Sequence, residues 1–433
     1  MRSKLSSLAR VVVGAAVLAL GAAYAQVTIS YLTHWPPETV DLLSAAIDKY
    51  EAANPGVKIE VRAVPFGNLL STLRSQATSP NGPTITGIYE LWLPELVKSG
   101  IADAAPDAYS ADVLANWPAG LVGSVSSDGT VYGYPNEVNL YALNYNKRLF
   151  AEAGIDGPPT TWEELIADAK KLTKRQGNTI VQQGFGLINS WPAGVVHPWL
   201  SFVYSNGGKF LDGTTATLDS PATEAVTELY HQLIFDDKVT DPAMGTANAS
   251  TTGPYLQNFA NGQTAMIVMA NWWQSALRDS MGDAFDDIAT APIPVGPNGT
   301  DPHPVSYAWL TMVNSHATAE QRAAAWAFLE WLDGPTSGEN GSSAMGDILS
   351  SMGIIPSRNS DVAAHSDELS SPFLQGYVSQ LSNAIPFPTI LGGEEISNAL
   401  QQWLERVEFG QSSVADMTKN ANKEIDEILE RNY

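Results

Sequence analysis

The sequence predicts an α/β fold spread over two domains. Strand and helix patterns alternate from the start of the chain, and residues 131–172 join strand, loop and helix signals in one run. The length, 433 residues, exceeds what one hydrophobic core usually supports.

Taken in order, residues 26–32 alternate as a strand, and Val40, Leu43, Ile47 and Tyr50 recur at helical spacing within 38–51. Asn54-Pro55-Gly56 stops that helix before the alternating strand of Val57, Ile59 and Val61. This βαβ opening predicts a parallel sheet covered by helices. Helices are expected over 69–77 and 94–99, around a short apolar strand at 84–88. Residues 131–134 and 140–145 are aromatic, β-branched or apolar and predict two strands, separated by the polar insert Asn136-Glu137-Val138-Asn139. A short helix over 147–153 closes at Gly154, Pro158-Pro159 break the chain, and Thr161-Trp162-Glu163-Glu164 forms a capping box. Amphipathic helices follow at 162–174, 221–236 and 255–260, with an apolar strand at 265–269. Thr318-Ala319-Glu320-Gln321 opens a helix bearing Ala325, Phe328, Leu329 and Leu332, which ends at Asp333-Gly334-Pro335. Two polar-faced helices around Phe409-Gly410 complete the chain, and no internal repeat or low-complexity tract interrupts it.

Residues 1–25 carry Arg2, Lys4 and Arg10, an apolar run over 11–23, and Ala23-Tyr24-Ala25 before Gln26. This is a secretory signal pattern with an expected cut after Ala25, and its apolar run falls short of the ~20 residues that span a bilayer. With no cysteine there is no thiol for lipid anchoring and no disulfide framework, so a periplasmic location is expected. The chain has 23 basic and 46 acidic residues, a net charge of −23. Loss of the three basic residues of the signal makes the balance more negative still. Such a surface repels nucleic acid and anionic membranes, and solubility is its plainer meaning.

The run Tyr132-Gly133-Tyr134-Pro135, then Asn144-Tyr145-Asn146-Lys147-Arg148-Leu149-Phe150, Ala153-Gly154, Pro159 and Thr161-Trp162-Glu163-Glu164-Leu165 resembles the extracellular solute-binding proteins of ABC importers. The branch is the one that includes maltose-, trehalose- and glycerol-phosphate-binding proteins. Further similar pieces occur in order near Asn54, Asn206, Asn261, Pro292 and Gly353, so the resemblance covers nearly the whole chain. It implies a two-lobed periplasmic-binding-protein fold with the ligand cleft at the hinge. By resemblance, 26–138 with 290–341 form the first lobe and 139–289 with 342–433 the second. It also implies a monomer that needs no cofactor and delivers its ligand to an ABC permease, a homodimer or heterodimer served by an ATPase.

The candidate contacts combine aromatic rings, which stack on the C–H face of a pyranose, with amides and carboxylates, which read its hydroxyls. The sharpest cluster is Asn271-Trp272-Trp273 after the 265–269 strand, since strand ends face the crevice in open α/β sheets; core packing of one Trp is the plainer reading. His34 and Trp35 follow the first strand, and Tyr89 and Glu90 the third; the resemblance places an acid at Glu90. Asn139 matches a position where relatives hold a polar or acidic contact, and Trp191 a region from which they supply a Trp. Ser306 and Tyr307 match a ligand loop, Tyr307 being favoured over Trp309, which lies inside an apolar strand. Asn68, beside Leu69 in the early helix, and Arg358, where some sugar binders present an Arg, complete the set. For Arg358 a surface salt bridge is an equal alternative.

No enzyme signature is present: no G-x-S-x-G, no P-loop, no strand-anchored G-x-G-x-x-G and no cysteine nucleophile. The histidines share no zinc-ligand spacing, so no metal is expected. Paired acids such as Asp236-Asp237 and Glu394-Glu395 read as solvated faces rather than as the cross-substrate carboxylates of an exported glycan-degrading enzyme. Between ligand classes, the run Pro83-Thr84-Ile85-Thr86-Gly87-Ile88-Tyr89-Glu90 resembles the glycerol-phosphate branch. That branch, however, has a small Ser/Gly-rich loop where this chain has Asn271-Trp272-Trp273, and an aromatic where it has Leu69. It also places a phosphate-binding Arg in a region that here has none between Arg358 and Arg406. A neutral di- or short oligosaccharide is therefore expected, with glycerol 3-phosphate or a glycerophosphodiester as the alternative.

Overall fold

The computed structural model describes residues 26–433; the expected signal segment, 1–25, lies outside the described residues. Eleven strands share one curled sheet. They are β1 (Val27–Thr33), β2 (Val57–Ala63), β3 (Ile85–Tyr89), β4 (Gly133–Asn146), β5 (Lys174–Gln176), β6 (Thr179–Gly186), β7 (Thr264–Ala270), β8 (Ile288–Ala291), β9 (Val305–Val313), β10 (Ile355–Pro356) and β11 (Ile385–Pro386). The order is β2-β1-β3-β9-β4-β7-β6-β5, with β8 and β10 also pairing with β4 and β11 with β9. The expected parallel sheet holds for β2-β1-β3 and for β6-β7, but β9 runs antiparallel to both β3 and β4. The architecture is mixed, since β7 and β8 also run antiparallel to β4, and β5 to β6.

The helices that matter for the site are α1 (Pro37–Ala53), α2 (Phe66–Gln76), α3 (Trp162–Leu172), α4 (Pro192–Ser205), α5 (Gln274–Met281), α6 (Ala319–Leu332), α7 (Gly393–Glu408) and α8 (Val414–Asn432). Both expected capping boxes form, at Thr161 with Glu164 and at Thr318 with Gln321. The 221–236 stretch is α-helical over Pro221–His231 and ends in a π-turn, Gln232–Asp236. α4 carries no amphipathic signal because it is wrapped on all sides, every residue from Gly194 to Ser205 being buried. α7 packs on α4 and α8 on Pro221–His231, building the second lobe's outer layer. The helix Ala344–Ser351 packs on α1, on the first lobe's side.

β4 departs most from expectation. Its fourteen residues form one strand, where the polar insert at 136–139 predicted a loop between two. The insert is a β-bulge: Glu137 pairs with Trp309 and Pro135 with Leu310, leaving Asn136 as the extra residue. Asn136 is buried and exchanges two side-chain hydrogen bonds with Thr311, at 2.6 and 2.9 Å, so its polarity serves the strand pair. Beyond the bulge β4 leaves β9 at Leu140 and joins β7 from Tyr141, carrying the chain from one lobe to the other.

Candidate functional site

Pairing register builds the floor of a cavity at this crossing. Trp309 on β9 lies opposite Tyr89 on β3 and Glu137 on β4, and two residues along, Tyr307 lies opposite Asn139. Residues opposite one another share a face, as do residues two apart, so these five side chains face the same way. All five line a cavity of about 540 Å³, inside the roughly 300–1,000 Å³ typical of small-ligand sites. Without the bulge Asn136, not Glu137, would hold the place beside Trp309.

The first lobe closes one side with His34, Trp35 and Phe66. The His34 ring stacks on Trp309 at 4.3 Å, with Phe66 edge-on to it at 5.8 Å. The second lobe faces them with Trp191 and Trp272, whose rings meet edge to face at 5.8 Å, and with the Ser250–Thr252 turn and α5. The turn is held by Asn248, whose Oδ1 accepts from the Ser250 and Thr252 amides, and it reaches across to α2, where the Gly67 amide donates to the Ala249 carbonyl at 3.1 Å. A Cβ at Gly67 would sit 3.3 Å from that carbonyl, so glycine suits the close approach.

Electrostatically the cavity is acidic or neutral. Among the described residues no lysine or arginine lines it, while Glu38, Glu137 and Asp279 do. Burial raises the Glu137 carboxyl to about 8, outweighing the Asn139 side chain beside it, which favours the charged form, and burial lowers His34 to about 4. His34 is half-buried, with its Nδ1 enclosed. The phenols of Tyr89 and Tyr307 rise well above their ordinary value for the same reason. Polar atoms without a partner concentrate here: His34 Nδ1, Glu137 Oε2, both amide atoms of Asn139 and Trp191 Nε1. Buried polar groups normally find partners, so this concentration marks hydrogen-bonding capacity the fold leaves unused.

Of the expected site residues, the cavity brings together His34, Trp35, Tyr89, Asn139, Trp191, Trp272 and Tyr307. Six lie off it. Trp273 points into the core, fully buried against Phe259 at 5.0 Å, its Nε1 donating to Asn144 Oδ1; successive residues of the 3-10 turn Asn271–Trp273 diverge, so only one Trp can face the cavity. Asn271 mimics backbone, accepting from the Leu140 amide at 2.9 Å and donating to the Val138 carbonyl, and so fills the gap on β4 between its pairings with β10 and β7. Glu90 follows Tyr89 onto the other side of the strand end, where burial raises it to about 8 against a hydrogen bond from the Ala308 backbone. Ser306 alternates away from Tyr307, its carbonyl accepting from Phe387. Asn68 is exposed, two residues round the helix from Phe66. Arg358 is buried over the Trp117 ring, 4.7 Å from its centroid, with Asp112 at 3.5 Å.

Sequence reasoning missed Glu137, Phe66, Trp309 and the Ser250–Thr252 turn. The i, i+2 relation to Tyr307 could have found Trp309; the bulge that aims Glu137 leaves no such mark.

The family described as "Bacterial extracellular solute-binding protein" matches residues 36–339. A curated relative from Brucella abortus (strain 2308), named only as a binding protein, is 26% identical over 385 residues, 88% of each chain. Maltose-bound MalE3 of T. maritima superposes with a TM-score of 0.78 at 21% identity, covering 92% of this chain and 99% of that one. UgpB of Mycobacterium tuberculosis in complex with glycerophosphocholine gives 0.79 at 19%, covering 93% and 98%. At these identities the structural likeness is one of fold, and the fold accommodates both kinds of ligand.

Proposed function

The chain belongs to the bacterial extracellular solute-binding protein family, and on that premise we propose that it captures a neutral saccharide between its lobes and hands it to an ABC permease and its ATPase. The observation that carries this reading is a cavity with aromatic faces from both lobes, unpaired hydrogen-bonding atoms and no cationic side chain among the described residues. Indole and phenol faces suit the C–H face of a sugar ring, and a hydroxyl left unmatched costs about 1–3 kcal/mol, which supplies specificity. A phosphate ester would call for charged donors such as Arg or Lys, so the glycerol-phosphate alternative has the weaker support. The cavity volume suits a di- or short oligosaccharide.

In this reading the ligand contacts are His34, Trp35, Tyr89, Asn139, Trp191, Trp272 and Tyr307, joined by Phe66, Trp309 and Glu137. Capture proceeds by hinge closure around β4, the closed state being favoured by contacts only it completes. The lobe division is proposed as 26–138 with 290–341 and 139–289 with 342–433, with the last crossing moved beyond Ala344–Ser351 because that helix packs on α1. Export by a cleaved signal into the periplasm, without a lipid anchor, completes the proposal.

The test is a thermal-shift screen of residues 26–433 with neutral mono-, di- and oligosaccharides alongside glycerol 3-phosphate and glycerophosphodiesters. Ligand at 100 times its dissociation constant stabilises by about 2.7 kcal/mol. A shift with a neutral saccharide class is expected; a shift with phosphate esters alone would replace the ligand assignment.

A further inference from the structure

We infer that Glu137 is a specificity-determining residue of this cavity and that it meets the ligand as a neutral carboxylic acid, donating a hydrogen bond to a saccharide oxygen. The inference rests on the saccharide reading above. Its basis is placement. The bulge at Asn136 puts Glu137 in one row with Trp309 and Tyr89, at the floor of the cavity and one rung from Asn139 and Tyr307. The side chain is 5% exposed, and its Oε2 has no hydrogen-bond partner.

No counter-charge faces it. The groups around it are Tyr31 from β1, His34 from the connection to α1, Trp309 and Tyr307 from β9, Asn136 and Asn139 on β4 itself, and Ile355-Pro356 of β10 alongside. Burial keeps His34 neutral, with a value near 4, and raises the phenols of Tyr31 and Tyr307. Desolvation therefore dominates Glu137 and holds its proton to about pH 8. A neutral ligand that fills the cavity removes more water and brings no cation, so ionisation becomes harder still on binding. A carboxylic acid kept neutral has what a carboxylate lacks, an O–H to donate. Ring and glycosidic oxygens can only accept, so the Glu137 O–H would join the indole N–H, phenol O–H, imidazole N–H and amide donors among the expected contacts.

The sign follows from linkage. Binding that needs the proton is fully present below the free-state value of about 8 and weakens as pH rises through it, by up to about tenfold per pH unit. The experiment is a fluorescence titration of residues 26–433 with maltotriose, cellotriose, arabinotriose and diacetylchitobiose from about pH 5.5 to 9.5, in wild type, Glu137→Gln and Glu137→Ala. For the probe that binds, affinity is expected to stay level to about pH 7 and fall above 8. Glu137→Gln, which keeps a donor without a titration, should bind nearly as well as wild type at pH 7 and lose the fall. Glu137→Ala should bind at least about tenfold more weakly at pH 7, with no fall of its own. Affinity that rises between about pH 6 and 8, or a fall that survives in Glu137→Gln, would overturn the inference while leaving saccharide capture intact. If wild type binds none of the four probes at any pH, the saccharide reading fails and takes this inference with it.

Discussion

Trp272 and Trp273 are neighbours in sequence with opposite surroundings. Trp272 keeps a partly exposed face on the cavity and meets Trp191 edge to face, while Trp273 is fully enclosed by the core against Tyr255 and Phe259. Substitution should therefore separate binding from stability. Trp272→Ala is expected to weaken saccharide affinity by about tenfold or more with little change in unfolding midpoint. Trp273→Ala, which empties a core site, should cost about 3–5 kcal/mol in denaturant unfolding. Equal destabilisation by the two would contradict the assignment. The sequence carried half of this: a Trp pair at the end of an apolar strand marks a crevice, but which ring faces it depends on the rotation of one 3-10 turn. Asn271 and Arg358 escaped for a related reason. Their side chains satisfy partners more than a hundred residues away, a backbone gap on β4 and an indole with Asp112, and local pattern holds no trace of such pairings.

Among the elements, those with periodic faces and capping residues were the legible ones: α1, α3 and α6 stand close to where spacing and capping boxes put them. α4 and β6 were missed, α4 because uniform burial leaves no periodicity to read. β4 was split in two because a bulge and a loop look alike as a polar run; only the pairing of Asn136 with Thr311 tells them apart. The turn at 248–252 makes one of the contacts between the proposed lobes beside the cavity, through the Gly67 amide and the Ala249 carbonyl. Gly67→Pro removes that donor at the second residue of α2, in the first turn, where the intrahelical ladder does not need it, and sets a Cβ 3.3 Å from the Ala249 carbonyl, so both effects loosen this contact. Dissociation of bound saccharide should then quicken by up to about tenfold, for a lost hydrogen bond of about 0.5–1.5 kcal/mol. An unchanged rate in stopped-flow would remove the turn from the closing contacts.

At the scale of the whole molecule, the fold follows from β4 passing through both lobes, which lets a cavity at the crossing draw aromatic groups from each. The two-lobed class was legible through the 131–172 segment, whose resemblance extends along the chain. The cavity's lack of lysine or arginine was not, since it depends on which of the 23 basic residues the fold gathers, and among the described residues it gathers none. On the proposed function that feature is the physical basis of selection, an acidic or neutral, aromatic-walled cavity favouring an uncharged polyhydroxyl ligand over an anionic one. The most direct measurement is titration calorimetry of residues 26–433 with the best saccharide from the screen and, in parallel, with glycerol 3-phosphate and glycerophosphocholine. Saturable one-to-one heat with a negative heat-capacity change is expected for the saccharide, marking burial of apolar faces, with no binding heat for either phosphate. Saturable binding of a phosphate ester with none for any saccharide would contradict saccharide capture.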